Sequence, residues 1–346
     1  MTDEVAGARA RRLRTWSRLG QLGRVPTEYE IVTHGMNYTT SFATPLEAGP
    51  HTFGNRWIAE HRNAVAVRVD AWDAFRDPDE LTYRKYNKLQ DAAETFIDQA
   101  LEDYGERRAI DRSHSPGWLH ALGVLLAPQR YPVHGLQMLA AYVAQMAPSS
   151  YITNAAAFQA ADELRRVQRI AYRTRQLALA HPALGFGRTE RATFETHPHW
   201  QGAREAIERL LIAFDWDEAF TALELAIKPA YDEIFLHQLA EISRRAGDEL
   251  DALVLDSLWQ DAERARRWTT ALVRFALAHG DNRAAFERHL ARWRPLARKL
   301  LRDGAALLAA HGGGDPGAIA EAGEAALREL HARAGLEAGR PSGDPR

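Results

Sequence analysis

Residues 154–180 read NAAAFQAADELRRVQRIAYRTRQLALA and run as one helix up to His181-Pro182. This stretch decides the fold class because others like it recur along the chain. Upstream, Leu136, Leu139, Ala140, Val143 and Ala147 fall at helical spacing and stop at Pro148. Downstream, Ala203, Ala206, Ile207, Leu210, Leu211 and Phe214 give a clean apolar stripe. The segment DEAFTALELAIKPAYDEIFLHQLAEISRRAG (217–247) follows, where Pro229 is expected to kink or break the helix and Gly247 to stop it. Two more long helices hold Leu258, Ala262, Ala265, Leu272 and Ala276, then Phe286, Leu290, Trp293, Leu300 and Leu301. Period-2 alternation and β-branched enrichment, which strands would need, are not visible. The expected fold is therefore all-α, one large bundle of long helices.

Outside this bundle, taken as residues 76–310, the chain changes character. Residues 1–75 carry turn formers and scattered aromatics, and RVPTEYEIVTHGMNY (24–38) reads as extended rather than helical. This region is read as an arm that lies on something. The bundle is expected to start at Asp77-Pro78-Asp79-Glu80, with Asp77 as N-cap, Pro78 in the first helical position and Glu80 reaching back. Behind it, Tyr86, Leu89, Ala93, Phe96, Ile97, Ala100 and Tyr104 share one helix face. The tail, 311–346, reads as one short Ala-rich helix between flexible ends, its last ten or so residues disordered.

Composition removes several classes of function. With no cysteine the chain has no disulfide, thiolate metal site or Cys nucleophile, which suits a reducing cytoplasm. A formal net charge of -2 argues against a general nucleic-acid binder, the basic excess being confined to Arg9, Arg11, Arg12, Arg14, Arg18 and Arg24. An apolar run near the roughly 18 residues of a membrane span is lacking, as is the apolar core of a secretory signal. A cytoplasmic protein, off the membrane, is the expectation.

In a long-helix bundle the first chemical question is whether metal ligands face inward. Di-iron carboxylate bundles place Glu-x-x-His on two helices, because positions i and i+3 share a face and chelate one iron. This chain has no Glu-x-x-His; it has Glu-x-x-Arg twice, Glu163 with Arg166 and Glu263 with Arg266. A guanidinium stays protonated and offers only donors, so it cannot ligate a metal, but it can fill an absent ion's place by pairing with the carboxylate. Against this stands the plainer reading, ordinary helix-surface pairs worth a few tenths of a kcal/mol. Among the 14 histidines, His197-Pro198-His199 could form a two-His loop site but more often marks a solvated turn. His114, His120 and His134 lack carboxylates at ligand spacing, and His237 follows Glu233 at a salt-bridge interval. The HGGGD run at 311–315 lacks the strand and the Lys-Ser/Thr of a phosphate loop. Read from its residues, the chain has no working active site.

Five stretches carry a family resemblance: RTWSRLGQLGRVPTEYEIVTHGMNY (14–38), WDAFRDPDELTYRKYNKLQD (72–91), YPVHGLQMLAAYVAQMAPSSYITNAAAFQAADELRRVQRIAYRT (131–174), WQGAREAIERLLIAFDWDEAF (200–220) and LDSLWQDAERARRWTTALVRFAL (255–277). In order and spacing they resemble the β subunits of bacterial multicomponent monooxygenases, most closely those oxidising toluene and alkenes, isoprene included. The likeness spans most of residues 12–300. It implies a ferritin-like fold and pairing with a homologous α subunit that holds a di-iron centre. It also implies a γ subunit in a dimer of αβγ protomers, an effector protein, a Rieske-type ferredoxin and an NADH-dependent reductase. The reaction implied puts one atom of O2 into a hydrocarbon, giving an epoxide or phenol. By the same resemblance Glu163, Arg166, Glu263 and Arg266 stand where α relatives carry Glu-x-x-His, a vestigial site with no metal, cofactor or catalytic role. The other two glutamate ligands have no clear counterpart, although Gln90, Asp91 and Glu94 lie near one of them. Residues 12–60 would then pack largely on the partner. The alternatives are a di-iron oxygenase with atypical ligands, which the missing histidines oppose, and an unrelated all-α scaffold, for which no repeat of about 34–47 residues is found.

Overall fold

The computed structural model describes residues 19–36 and 51–336, and among them every regular element is helical. The N-terminal arginines up to Arg18, much of the 12–60 arm and the last ten residues lie outside the described residues.

The arm is not extended where it is described. Helix α1 (Glu28–Thr33) forms because Thr27 accepts the Glu30 backbone N–H at 3.2 Å while the Glu30 carboxylate accepts the Thr27 N–H at 3.0 Å. This reciprocal capping box satisfies two donors that a short helix leaves free. Glu30 also takes Arg24 and Arg76, which hold its carboxyl down at about 2 against the opposing pull of burial. Helix α2 (Phe53–Ile58) leads into a π-helical turn, Ala59–Asn63.

The expected bundle start is corrected as well. Asp77 accepts the Asp79 N–H at 3.1 Å and Glu80 has φ 44°, so 77–80 is a tight turn. A non-glycine residue in the left-handed region does not sit inside a right-handed helix. Thr82 caps α3 (Tyr83–Ala100) instead, accepting from Lys85 N–H at 3.2 Å. Tyr86, Ile97 and Ala100 of the expected stripe are buried, but Leu89 and Phe96 stand exposed.

After α4 (Ile110–Ser113) and α5 (Pro116–Leu125) come the four rods that make the centre. Helix α6 (Arg130–Met146) turns at Pro148 into α7 (Ser150–Ala180), which contains the stretch quoted first. Short α8 (Glu190–Thr196) and α9 (Gln201–Leu210) precede the third rod, α10 (Trp216–Ala222), α11 (Lys228–Asp232) and α12 (Leu239–Arg245). Pro229 does not break this rod. Two π-helical stretches, Leu223–Ile227 and Glu233–Gln238, flank α11, and the wider turn accommodates a residue that cannot donate its N–H. Gly247, at φ 77°, ends the rod as expected, with Asp248 N–H closing onto Ser243 O at 2.9 Å. Asp248 then caps the fourth rod, α13 (Glu249–Ala278).

Helix α14 (Arg283–Gly312) packs across α5, α9 and the third rod, and α15 (Pro316–Arg333) lies on α14 and α11. The core is aromatic between the rods: Trp200 stacks on Phe235 at 4.7 Å and Trp216 on Phe220 at 5.6 Å. Small residues let helices close up. A Cβ on Gly135 of α6 would stand 2.4 Å from Ile207 Cγ2 of α9.

Candidate functional site, a charged core between the rods

Midway along the bundle the apolar interior gives way to charge. Lys228, on the short α11, places its ammonium 2.6 Å from Glu163 Oε1 of α7 and 2.6 Å from its own helix's Asp232 Oδ2. Arg166, one turn after Glu163, donates to Asp232 Oδ1 at 2.7 Å and to Gln129 Oε1 at 3.1 Å. Its guanidinium lies 5.0 Å from the centre of the Tyr231 ring. All four charged side chains are at most 4 % exposed.

Two cations and two anions cancel, and this is what permits their burial: an unpaired ion in such a place would cost several kcal/mol. Burial alone would lower the lysine's pKa, but Asp232 and Glu163 outweigh it and the ammonium is held more firmly charged than usual. Burial would raise Asp232, yet Lys228 and Arg166 pull it below its ordinary value. Glu163 goes the other way, pushed up by burial and by nearby Asp232 more than Lys228 relieves it. Beside them Glu224 is pushed up to about 8 by burial. It accepts from Gln159 at 2.6 Å and Thr269 at 3.2 Å, and Gln159 in turn accepts from the Trp268 indole at 2.9 Å.

The Glu-x-x-Arg positions fall unequally. Glu163 and Arg166 share the core, but Arg166 pairs with Asp232 rather than with Glu163. Glu263 and Arg266 do pair, at 2.7 Å, nearer the surface, with Arg266 over the Trp259 ring at 4.2 Å. Arg266 still adds positive charge that lowers Asp232 and Glu233. Gln90 and Glu94 do not join this core; they belong to a separate polar layer between α3, α7 and α13. There Gln90 donates to Asp162 (2.8 Å) and Asp261 (3.0 Å), Arg264 to Asp162 (2.6 Å), and Arg165 to Asp261 and Glu94 (2.6 Å each). Asp91 is exposed. Of the histidines, His237 bonds Glu233 at 2.8 Å, as its spacing suggested, but His114, read as lacking a carboxylate, stands 3.3 Å from Asp248 and 3.8 Å from Asp111, three residues before it.

The sequence reading missed Lys228, Asp232 and Glu224. Their signal was present: Glu224, Lys228 and Asp232 are spaced i, i+4, i+8 in an otherwise apolar run, one charged stripe on a buried rod.

As a metal donor set this core does not fit. Its carboxylates are already bridged by an ammonium and a guanidinium, which occupy the positive role a metal ion would take, and neither can ligate. Among the described residues no three His, Asp or Glu side chains are disposed to hold a metal ion. No described helix is long and apolar enough to cross a membrane.

Residues 50–280 match the model of the methane/phenol/alkene hydroxylase family. The chain belongs to that family. It is 43% identical to the hydroxylase component subunit beta of the toluene-4-monooxygenase system of Ectopseudomonas mendocina, over 82% of this chain and 87% of that protein. It is 25% identical to the propane 2-monooxygenase hydroxylase component small subunit of Gordonia sp. (strain TY-5), over 71% of this chain and 66% of that one. A solved structure of toluene 4-monooxygenase, with toluene in its resting active site, superposes with a TM-score of 0.82 at 40% identity, covering 87% of this chain and 99% of that chain. Phenol hydroxylase from Pseudomonas sp. OX1 shares the fold, with a TM-score of 0.78 at 20% identity over 98% of both chains. The expected helical-bundle class and the hydroxylase β-subunit resemblance are both borne out: this chain is homologous to the β subunit of a toluene monooxygenase hydroxylase.

Proposed function

We propose that the chain is a non-catalytic β subunit in the hydroxylase component of a multicomponent monooxygenase that oxygenates small alkenes or aromatic hydrocarbons. In this reading it scaffolds a homologous α subunit, and the di-iron centre belongs to that α subunit. A γ subunit completes an αβγ protomer that dimerises. An effector protein, a Rieske-type ferredoxin and an NADH-dependent reductase serve the assembly in the cytoplasm. The observation that carries the reading is the bridged core: Lys228 and Arg166 neutralise the carboxylates from within, so the interior is complete without metal. On this account Glu163, Arg166, Glu263 and Arg266 are vestigial positions of a metal site. The arm, with Ile31, Val32 and Met36 exposed on and after α1, is part of the surface offered to the partner.

The test is metal content and mass of the full chain, purified alone and co-expressed with candidate partner subunits. Iron should be absent from the chain alone and present in a complex with a larger subunit. Stoichiometric iron in the isolated chain would overturn the reading and make the chain a di-iron oxygenase in its own right.

A further inference from the structure

One segment is held to the bundle by charge rather than by apolar contact. After α3 the chain runs through a π-helical stretch, Leu101–Arg107, of which Leu101 alone is buried. Ala109 then adopts φ 50°, a left-handed backbone that a non-glycine residue enters at a cost. In α4, which follows, Ile110 is only partly covered and Asp111 is the one buried residue. A four-residue helix does not hold itself. What fastens it is a sealed group of ionisable side chains between α4, α5, α7 and α13. Asp111 takes both terminal nitrogens of Arg173 at 2.8 and 3.1 Å, and Asp251 takes the same guanidinium at 2.6 and 3.1 Å. His114 Nε2, with no hydrogen bond of its own among the described residues, stands 3.3 Å from Asp248 Oδ2 and 3.8 Å from Asp111 Oδ1. We propose that His114 and Asp248 share one proton that latches α4 to the rods, and that losing it to solvent frees residues 101–114 while the rods stay folded.

The balance of charge gives the reason. The group holds three carboxyls, Asp111, Asp248 and Asp251, against one permanent cation, Arg173, and all four side chains are at most 9 % exposed. Both Asp248 oxygens accept from neutral donors, the Trp118 indole at 2.8 Å and the Asp251 N–H at 3.0 Å. Among the described residues His114 is the one basic side chain within 4 Å of Asp248. The remaining neighbours come from α7 and its end: neutral Gln176, 2.7 Å from Arg173, and His181, whose Nε2 lies 2.6 Å from Asp111 O. A proton held between His114 and Asp248 removes one negative charge. Without it three carboxylates face a single guanidinium away from water, an arrangement that burial penalises heavily.

The ionisations lean the same way. Burial and Asp251 hold Asp248 well above its ordinary value, so the stability its proton adds is present at low pH and lost as pH rises through the folded value. Burial holds His114 below its ordinary value, with Arg173 and His181 adding to the effect and Asp251 and Asp111 opposing it. A second proton is therefore resisted. The closed group keeps one proton, whereas an opened segment, with both side chains in water, keeps none above about pH 6.5. Opening then grows by up to about tenfold per pH unit above that value, until the closed pair itself lets the proton go. This inference is independent of where the hydroxylase iron resides.

The experiment is hydrogen–deuterium exchange of the full chain at pH 6.5 and pH 8.5, corrected for the intrinsic pH dependence of amide exchange, beside Asp248→Asn. Asparagine can still cap α13 and accept the Trp118 indole, but it cannot ionise. In the wild type, protection of residues 101–114 should fall at least about tenfold between the two pH values, while peptides from the middle of α7 and α13 change less than about twofold. In Asp248→Asn the fall over 101–114 should shrink below about twofold. The proposal is overturned if wild-type protection at 101–114 does not fall, or if α7 and α13 lose protection in step with it; neither outcome depends on the variant folding. It is overturned equally if a folded Asp248→Asn shows the wild-type fall.

Discussion

Lys228→Met keeps an unbranched apolar stem in the core and deletes the ammonium that stands 2.6 Å from both Glu163 and Asp232. Two carboxyls then face each other without their shared counter-ion, although Arg166 still holds Asp232 at 2.7 Å. Removing one partner of a buried ion pair costs about 3–5 kcal/mol. A chain of 346 residues unfolds with an entropy near 0.7 kcal/mol per kelvin, so that loss lowers Tm by roughly 4–7 °C. The deficit must also depend on pH. Asp232 sits below its ordinary value, so its share of stability is present above the unfolded-state pKa and lost as pH falls through the lower folded value. Without Lys228 both carboxyls move upward, each protonates more readily in the fold than in the unfolded chain, and stability falls as pH rises. The gap between variant and wild type should thus widen from pH 5 to pH 8. Adding Glu163→Gln to Lys228→Met should recover much of the loss, because it removes the carboxylate left without a cation. The assay is thermal unfolding of the full chain by circular dichroism at both pH values. A Lys228→Met variant within about 1 °C of wild type at both would refute the idea that the bridging ammonium holds this core.

Glu224 is raised to about 8 by burial, so its contribution to stability is present below the unfolded-state pKa and is lost as pH rises through the folded value. Glu224→Gln, which keeps the shape and cannot ionise, should flatten the fall in Tm between pH 5 and pH 9, and an unchanged slope would place the titration elsewhere. Gly135→Ala sets a methyl 2.4 Å from Ile207 Cγ2 across the α6–α9 contact. The overpacking should cost about 1–3 kcal/mol in urea unfolding, and pairing it with Ile207→Ala should give a non-additive, partly compensating loss.

The long rods were legible because most bury one stripe for many turns, and a periodic pattern of that length outweighs local accidents; the third rod, buried all round over 216–236, was legible from its apolar length. The ends were not. At 77–80 the sequence offers Asp, Pro and Glu in N-cap order, yet Glu80 adopts φ 44° and the helix waits for Thr82. In the arm the opposite error occurs: Thr27 and Glu30 spell a capping box, but only six residues of helix follow. A six-residue helix shows no periodicity to read, and its stability comes from Tyr29 and Glu30 being buried against the body. The break expected at Pro229 does not occur, for a related reason. Proline forbids one hydrogen bond of a regular α-helix, and the rod meets it by widening into π turns before and after α11.

The charged core explains why its motif was only half visible. Glu-x-x-Arg stands out as a departure from Glu-x-x-His, a pattern that joins two residues on one helix and implies that they act together. In the fold Glu163 turns to Lys228 and Arg166 to Asp232, both on another rod, so the pairing that neutralises the interior lies between helices. Spacing within one helix cannot reveal such a partner. A charge stripe on a run that must be buried can, because no carboxylate or ammonium stays ionised there alone. Glu224, Lys228 and Asp232 form that stripe, and each further charge it demands must come from a facing rod. Followed that way, Lys228 and Asp232 on the buried rod each point to a partner of opposite charge on a facing one, and α7 supplies Glu163 for the ammonium and Arg166 for the carboxylate.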